Sequence, residues 1–188
     1  RFLPIAERLG LLPDLDLTAM ELGLRELERN PSIRGLAINL SAASLANAEF
    51  IHRTDLLLKK HRRATSRLWI EVAETGLLKH LDVFRHLCQM LRGHGCKIGV
   101  EHFGRQFSAI GRLHNLGLNY LKIDSSFVRQ VDTNPGNQSF LKGACSIAHT
   151  IELLVIAEGV TTDAELGTLL DLGFDGATGP GVRISGEA

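Results

Sequence analysis

Short apolar segments alternate with amphipathic stretches along almost the whole of this chain, and that alternation restricts its fold more than any other feature. Residues 35–41, 68–73, 96–101, 119–124 and 153–158 are brief, apolar and rich in β-formers, as parallel strands buried on both faces must be, with a weaker sixth at 174–178. Between them, apolar residues at helical spacing predict helices over 13–29, 48–62, 78–93, 107–116, 138–151 and 163–172. The punctuation agrees. Asn30-Pro31 stops the first helix, residues 132–136 read as a turn, and Thr162 with Glu165 forms a capping box that opens the last helix. Repeated strand–helix units imply a parallel sheet, either open and doubly wound or closed into a barrel.

Polar residues at the carboxyl ends of successive strands favour the barrel. Asn39, Glu71 with Glu74, Glu101 with His102, Lys122 with Asp124, and Glu158 all fall there. An open sheet concentrates its site at one switch point, whereas a barrel gathers residues from many strand ends around one mouth. The expected fold is therefore α/β, a TIM-like (β/α)8 barrel, in a single domain over residues 1–188. A complete barrel needs ~250 residues. With 188, the first strand or two are expected to be missing.

Composition excludes several function classes. Lys and Arg balance Asp and Glu to a formal net charge of zero, so the chain lacks the concentrated positive charge that polymeric nucleic acid requires. Cys88, Cys96 and Cys145 are odd in number and form no paired motif, which suits buried thiols in a reducing compartment. No apolar run is long enough to span a bilayer, and no basic-then-apolar leader opens the chain. The run Lys59-Lys60-His61-Arg62-Arg63 reads as a solvated helix end. His80, His86 and His94 lack metal-ligand spacing, and the glycines of 176–181 form no dinucleotide fingerprint, although their amides suit contact with phosphate.

Several motifs in order resemble the EAL domain family, phosphodiesterases that open cyclic di-GMP. Phe2-Leu-Pro-Ile-Ala-Glu-Arg-Leu-Gly-Leu11 is similar to the family's Phe-Ile-Pro-Leu-Ala-Glu-Glu-Thr-Gly-Leu. Glu101-His-Phe-Gly-Arg-Gln-Phe-Ser-Ala-Ile110 resembles its Asp-Asp-Phe-Gly-Thr-Gly-Tyr-Ser-Ser-Leu, and Leu121-Lys-Ile-Asp124 its Leu-Lys-Ile-Asp. The resemblance implies that Asn39 and Glu71 stand at metal-binding positions and that Glu74 supports the loop after the next strand. It also implies that Lys122 holds the attacking water or a phosphate oxygen with Asp124 as partner, and that Glu158 acts as base or holds the ligand. Glu101, Asn39, Glu71, Lys122, Asp124, Glu158 and Gly179 are the expected cyclic di-GMP contacts.

Departures cluster where the chemistry is expected. The family's two metal-holding aspartates read Glu101 and His102, its Thr-Gly reads Arg105-Gln106, Thr161 replaces a second glutamate, and Thr178-Gly-Pro replaces the closing Gln-Gly-Tyr. Two-metal opening of a phosphodiester needs hard cations ~3.5–4 Å apart. Mg²⁺ demands oxygen ligands in a tight octahedron at ~2.0–2.1 Å. Glu101 is a methylene too long for that role, and His102 offers a nitrogen. Losing a carboxylate at 102 and gaining Arg105 also lowers the repulsion that a ring of carboxylates exerts on two phosphates.

The expectation is a catalytically inactive receptor with no catalytic residues, no required metal or other cofactor, and cyclic di-GMP as ligand at the barrel mouth. Occupancy would be converted into conformational change or dimerisation through the loop from Gly104 to Ser108, with Arg105, Gln106, an exposed Phe107 and Glu74 as the coupling residues. Phe103 is expected to pack. The alternatives are an active phosphodiesterase using Mg²⁺ or Mn²⁺, and a scaffold that binds no nucleotide. The degenerate loop and the Arg1-Phe-Leu-Pro-Ile-Ala-Glu-Arg8 start also look like the Lap-type transmembrane receptors that control biofilm adhesin retention. That likeness implies a cytoplasmic domain of a bacterial inner-membrane protein. It further implies a homodimer, GGDEF and membrane modules in the same polypeptide, and a periplasmic protease as output.

Overall fold

The computed structural model of the chain describes residues 2–182, apart from the side chains of Ser108 and Ala109. In chain order the elements are α1 (Leu3–Arg8), α2 (Leu12–Arg29), β1 (Leu36–Leu40), α3 (Ala42–Leu45), α4 (Ala48–Lys60), β2 (Leu68–Ala73), α5 (Glu74–Lys79), α6 (Leu81–Gly93), β3 (Lys97–Phe103), β4 (Tyr120–Ile123), α7 (Ser125–Val128), α8 (Pro135–Thr150), β5 (Leu154–Ala157), α9 (Asp163–Asp171) and β6 (Gly176–Ala177). They divide between two compact units. The first runs to Gly99 and includes Asn115–Leu118; the second comprises Val100–His114 and the chain from Asn119 onward.

In the first unit the strand order is β1-β2-β3. β1 and β2 pair in parallel, from Leu36 opposite Leu68 to Leu40 opposite Val72. Leu68, Ile70 and Val72 of β2 are fully buried, as expected of a strand covered on both faces. β1 departs from that expectation: Ala37 and Asn39 are exposed, because β1 ends its sheet order and has a strand neighbour on one side only. α2 lies against it through Gly23, where a Cβ would come 2.7 Å from Ile38 Cδ1. In α6 the buried Phe84, Leu87, Cys88 and Leu91 recur at helical spacing and form its core face. The basic run at the end of α4 is less uniform than its composition implies. Lys59, Lys60, Arg62 and Arg63 are exposed, but His61 turns inward, with Nδ1 3.0 Å from Glu28 Oε2.

In the second unit the order is β3-β4-β5-β6. β4 pairs in parallel with β5, from Tyr120 opposite Leu154 to Ile123 opposite Ala157, and β5 with β6 at Ile156–Gly176 and Ala157–Ala177. Backbone bonding continues past the carboxyl ends. The Asp124 N–H donates to the Phe103 carbonyl (3.0 Å), Glu158 N–H to Ile123 (3.1 Å) and Thr178 N–H to Ala157 (2.8 Å). Each of these three residues just beyond a strand is thereby tied to its neighbouring strand.

Three helical expectations are corrected. The stretch expected to be helical from 107 to 116 is a 3-10 turn over Phe107–Arg112, and the chain then turns through left-handed Asn115 (φ 65°) and Gly117 (φ 77°), which no α-helix accommodates. α8 begins at Pro135, inside the expected turn. Asn134 caps it by accepting the Asn137 N–H, and proline at the first helical position has no intrahelical bond to lose. The helix expected over 78–93 is interrupted at His80, between α5 and α6. The capping box at Thr162 and Glu165 is present as expected. Cys88, Cys96 and Cys145 are unpaired and buried; desolvation pushes the first two thiols up to about 12 and Cys145 up to about 11. Among the described residues no helix is long and apolar enough to cross a membrane.

Candidate functional site

An acidic centre occupies the carboxyl ends of β3, β4 and β5 in the second unit. His102, the penultimate residue of β3, is its hub. Its backbone is left-handed (φ 54°), a region in which histidine is among the few tolerated non-glycine residues. That turn brings the imidazole among three carboxylates: Nδ1 lies 3.0 Å from Glu158 Oε2 and 3.7 Å from Asp124 Oδ2, and Nε2 lies 4.0 Å from Glu101 Oε1. The His102 N–H also points to Glu158 Oε2 at 3.3 Å. Arg105 approaches from the following loop, with Nη2 3.6 Å from Asp124 Oδ2.

The carboxylates differ in environment. Burial pushes the Glu158 carboxyl above its ordinary range and the Glu101 charge adds to the rise, while His102 and Lys122 pull it down without overcoming burial. Asp124 is also desolvated. There the hydrogen bonds from Ser126, with the charges of Arg105 and His102, prevail and hold it below the usual carboxylate range. Asp124 owes its position to its role as N-cap of α7, where Oδ1 accepts the Ser126 N–H at 2.9 Å.

The other expected contacts are placed as follows. Lys122 is half-buried on β4. Gly179 lies against the loop after β5 with φ 143°, and a Cβ there would come 2.3 Å from the Val160 carbonyl oxygen, so glycine is required by both backbone and space. Arg105 and Gln106 are exposed. Phe107 is not the exposed side chain the sequence implies. Its ring packs edge-on against Phe103 (6.1 Å between centroids) and Phe140 (5.1 Å), and Phe140 stacks on Phe127 (4.9 Å). Phe103 is buried, as expected of a packing residue. Ser108, at the far end of the expected coupling loop, has its side chain outside the described residues.

In the first unit, Asn39 of β1 stands opposite Glu71 of β2 in the parallel register. Both line a cavity of about 780 Å³, together with Leu22, Arg25, Arg29 and Ile38. Glu71 is 2% exposed and Glu74, the first residue of α5, 1%. The chain after Asn39 is held by Asp16, whose Oδ2 accepts the Ser41 N–H (2.8 Å) and the Ser44 hydroxyl (2.6 Å).

The acidic centre offers three carboxylates and one imidazole. His102 directs a ring nitrogen at the two carboxylates that could share a divalent cation, and Mg²⁺ accepts oxygen at fixed positions. Among the described residues no group of three or more His, Cys, Asp or Glu side chains is arranged to hold a metal ion.

A family model described as "EAL domain" matches residues 1–182. The chain belongs to the EAL domain family. It is 32% identical over 178 residues to the cyclic di-GMP phosphodiesterase PdeF of Escherichia coli, covering 93% of this chain and 24% of that protein. The chain spans about a quarter of the length of the curated relatives it matches. Among solved structures, the MucR phosphodiesterase of Pseudomonas aeruginosa in complex with c-di-GMP superposes with a TM-score of 0.87 at 27% identity, over 95% of this chain and 79% of that one. LapD of Vibrio cholerae, an S helix-GGDEF-EAL chain bound to c-di-GMP, superposes at 0.84 and 24% identity, over 92% and 42%, a likeness of fold. The EAL domain therefore has the expected α/β, TIM-like architecture.

Two features of the site escaped the sequence reading. The aromatic group links Phe103 and Phe107 to Phe140 and Phe127, residues too far along the chain for periodicity to connect. Glu165 was legible as a helix cap, but its bonds outside the helix were not.

Proposed function

We infer that this EAL domain is a receptor for cyclic di-GMP that binds the dinucleotide without opening it. The observation that carries the reading is the His102 imidazole set 3.0 Å from Glu158 and 3.7 Å from Asp124. When protonated it supplies a positive charge among the carboxylates, as a metal ion would, but it presents no Lewis-acidic site and no bound water to ionise. With Arg105 beside Asp124, the repulsion between this acidic group and two phosphates is reduced. The expected ligand contacts within the second unit are Lys122, Asp124, Glu158, Glu101 and Gly179. MucR, solved with c-di-GMP, supports the choice of ligand.

The Lap-type likeness extends the reading to a homodimeric cytoplasmic domain of an inner-membrane protein. GGDEF and membrane modules in the same polypeptide and a periplasmic protease as output complete it.

A second reading is favoured by the relatives themselves. PdeF and MucR are named as phosphodiesterases, and a site that tolerates Glu101 and His102 would use Mg²⁺ or Mn²⁺ to cleave the same ligand. Calorimetry with cyclic di-GMP, with and without Mg²⁺, followed by chromatography of the incubated nucleotide, separates the two. The receptor reading expects saturable binding that does not depend on the metal, and intact nucleotide. Linear pGpG formed in proportion to protein would replace it with the phosphodiesterase; no binding in either buffer would leave the scaffold.

A further inference from the structure

Glu165 is almost fully buried at the start of α9, 3% exposed, and its carboxylate accepts four hydrogen bonds. Oε2 takes the Thr162 N–H (3.2 Å), the Thr161 N–H (2.7 Å) and the Thr161 hydroxyl (2.9 Å); Oε1 takes the Gln130 N–H (2.8 Å). A capping box explains only the first of these, which runs back to the N-cap residue. The other three donors lie outside the helix, and they belong to two segments that lead directly out of the acidic centre.

One segment follows Glu158. Gly159 (φ 72°) passes so close to α7 that a Cβ would come 2.8 Å from that of Ser125, and two residues later Thr161 reaches Glu165. The other follows Asp124, which caps α7; the chain then reaches Gln130, in the left-handed conformation (φ 56°), and its N–H meets the opposite carboxylate oxygen. On its far side the Glu158 loop is held by the Val160 N–H to the Thr178 carbonyl (3.0 Å) and the Gly181 N–H to the Val160 carbonyl (2.9 Å). We propose that Glu165 is a positioning residue for the acidic centre, tying the chain that leaves Glu158 to the chain that leaves Asp124. Burial alone would favour the neutral acid, but the bonds from Thr161, Gln130 and Thr162 outweigh it and keep the carboxylate charged. A charged acceptor strengthens all four bonds.

Two amides report on the centre itself: His102 N–H, directed at Glu158 Oε2, and Ser126 N–H, directed at Asp124 Oδ1. Neither touches Glu165. In Glu165→Gln, which keeps the size but removes the charge and one acceptor, both amide NMR resonances should move while the protein still unfolds in a single cooperative transition at a lowered melting temperature. The solvent-facing Asp163→Ala, in the same helical turn, should leave both in place. Under the cyclic di-GMP reading, Glu165→Gln should also weaken nucleotide affinity about threefold to tenfold. Unmoved His102 and Ser126 amides in Glu165→Gln would reduce Glu165 to a helix cap and overturn the proposal. If the wild type binds no nucleotide, the receptor reading fails while the amides still decide this one. Should Glu165→Gln not fold, Thr161→Val, which removes the hydroxyl donor alone, is read by the same two amides.

Discussion

Glu158 shows how a single side chain can be set against the stability of its own fold. Its carboxyl is pushed above the ordinary range by burial first and by Glu101 second, so ionisation is harder in the folded protein than in the unfolded chain. A carboxyl with a raised folded pKa favours the fold most when protonated, and that contribution is lost as pH rises from the unfolded value through the folded one. At neutral pH the charged form is therefore a burden. Glu158→Gln should raise the melting temperature by about 1–3 °C and, under the receptor reading, weaken cyclic di-GMP binding by about tenfold to a hundredfold through the lost charge-assisted bonds. Thermal denaturation and calorimetry on one preparation check both; unchanged affinity would remove Glu158 from the ligand set. Asn39, Glu71, Glu101, Lys122, Asp124 and Glu158 stand out in the sequence because a polar residue within or just after an apolar strand breaks a pattern. The contact between His102 and Glu158 was not legible, since it depends on a left-handed backbone at a residue that is not glycine.

Among the elements, the loop after β3 carries the largest revision. Arg105 and Gln106 face solvent, whereas Phe107 anchors the loop to α8 through Phe140 and, one ring further, to Phe127 of the chain after β4. Gly104 is pressed on the same group, where a Cβ would come 2.9 Å from the Phe127 ring. Cutting this anchor with Phe107→Ala should cost about 1–3 kcal/mol, less than a fully buried phenylalanine because the ring is half-buried. If the loop links occupancy to self-association, the variant should also lose any nucleotide-dependent change in sedimentation that the wild type shows. Ligand-independent mass distributions in the wild type would rule the link out for this chain. All six strands lie within two residues of the ends expected from the sequence, because apolar runs are bounded by polar ones. The start of α8 and the short α7 were harder, since capping by Asn134 and Asp124 depends on side-chain bonds that periodicity does not register.

For the molecule as a whole, a formal net charge of zero leaves acid stability to particular groups. Asp124, Glu165 and Asp175 all hold their carboxyls below the ordinary range. In each, burial opposes the shift and hydrogen bonds overcome it: from Ser126, from Thr161 and Gln130, and from the Val155 N–H and His149 respectively. Groups with depressed folded pKa values contribute stability that is present above their unfolded values, about 3.9–4.3, and lost as pH falls through the folded ones. Urea midpoints should therefore fall steeply below about pH 4, where these carboxylates are protonated, and decline more gently at higher pH as the raised Glu158 carboxyl ionises. Glu165→Gln should blunt that fall, and an equally steep one would mean that Glu165 holds no special charge. A different consequence follows from the backbone at His102. A left-handed site admits glycine, asparagine, aspartate and histidine far more readily than the other side chains. Within that small alphabet, position 102 can pass from negative to neutral to positive while the chain trace stays as it is. One dihedral angle thus limits which charges the hub of the acidic centre can carry without moving the chain, and a library of four residues samples them.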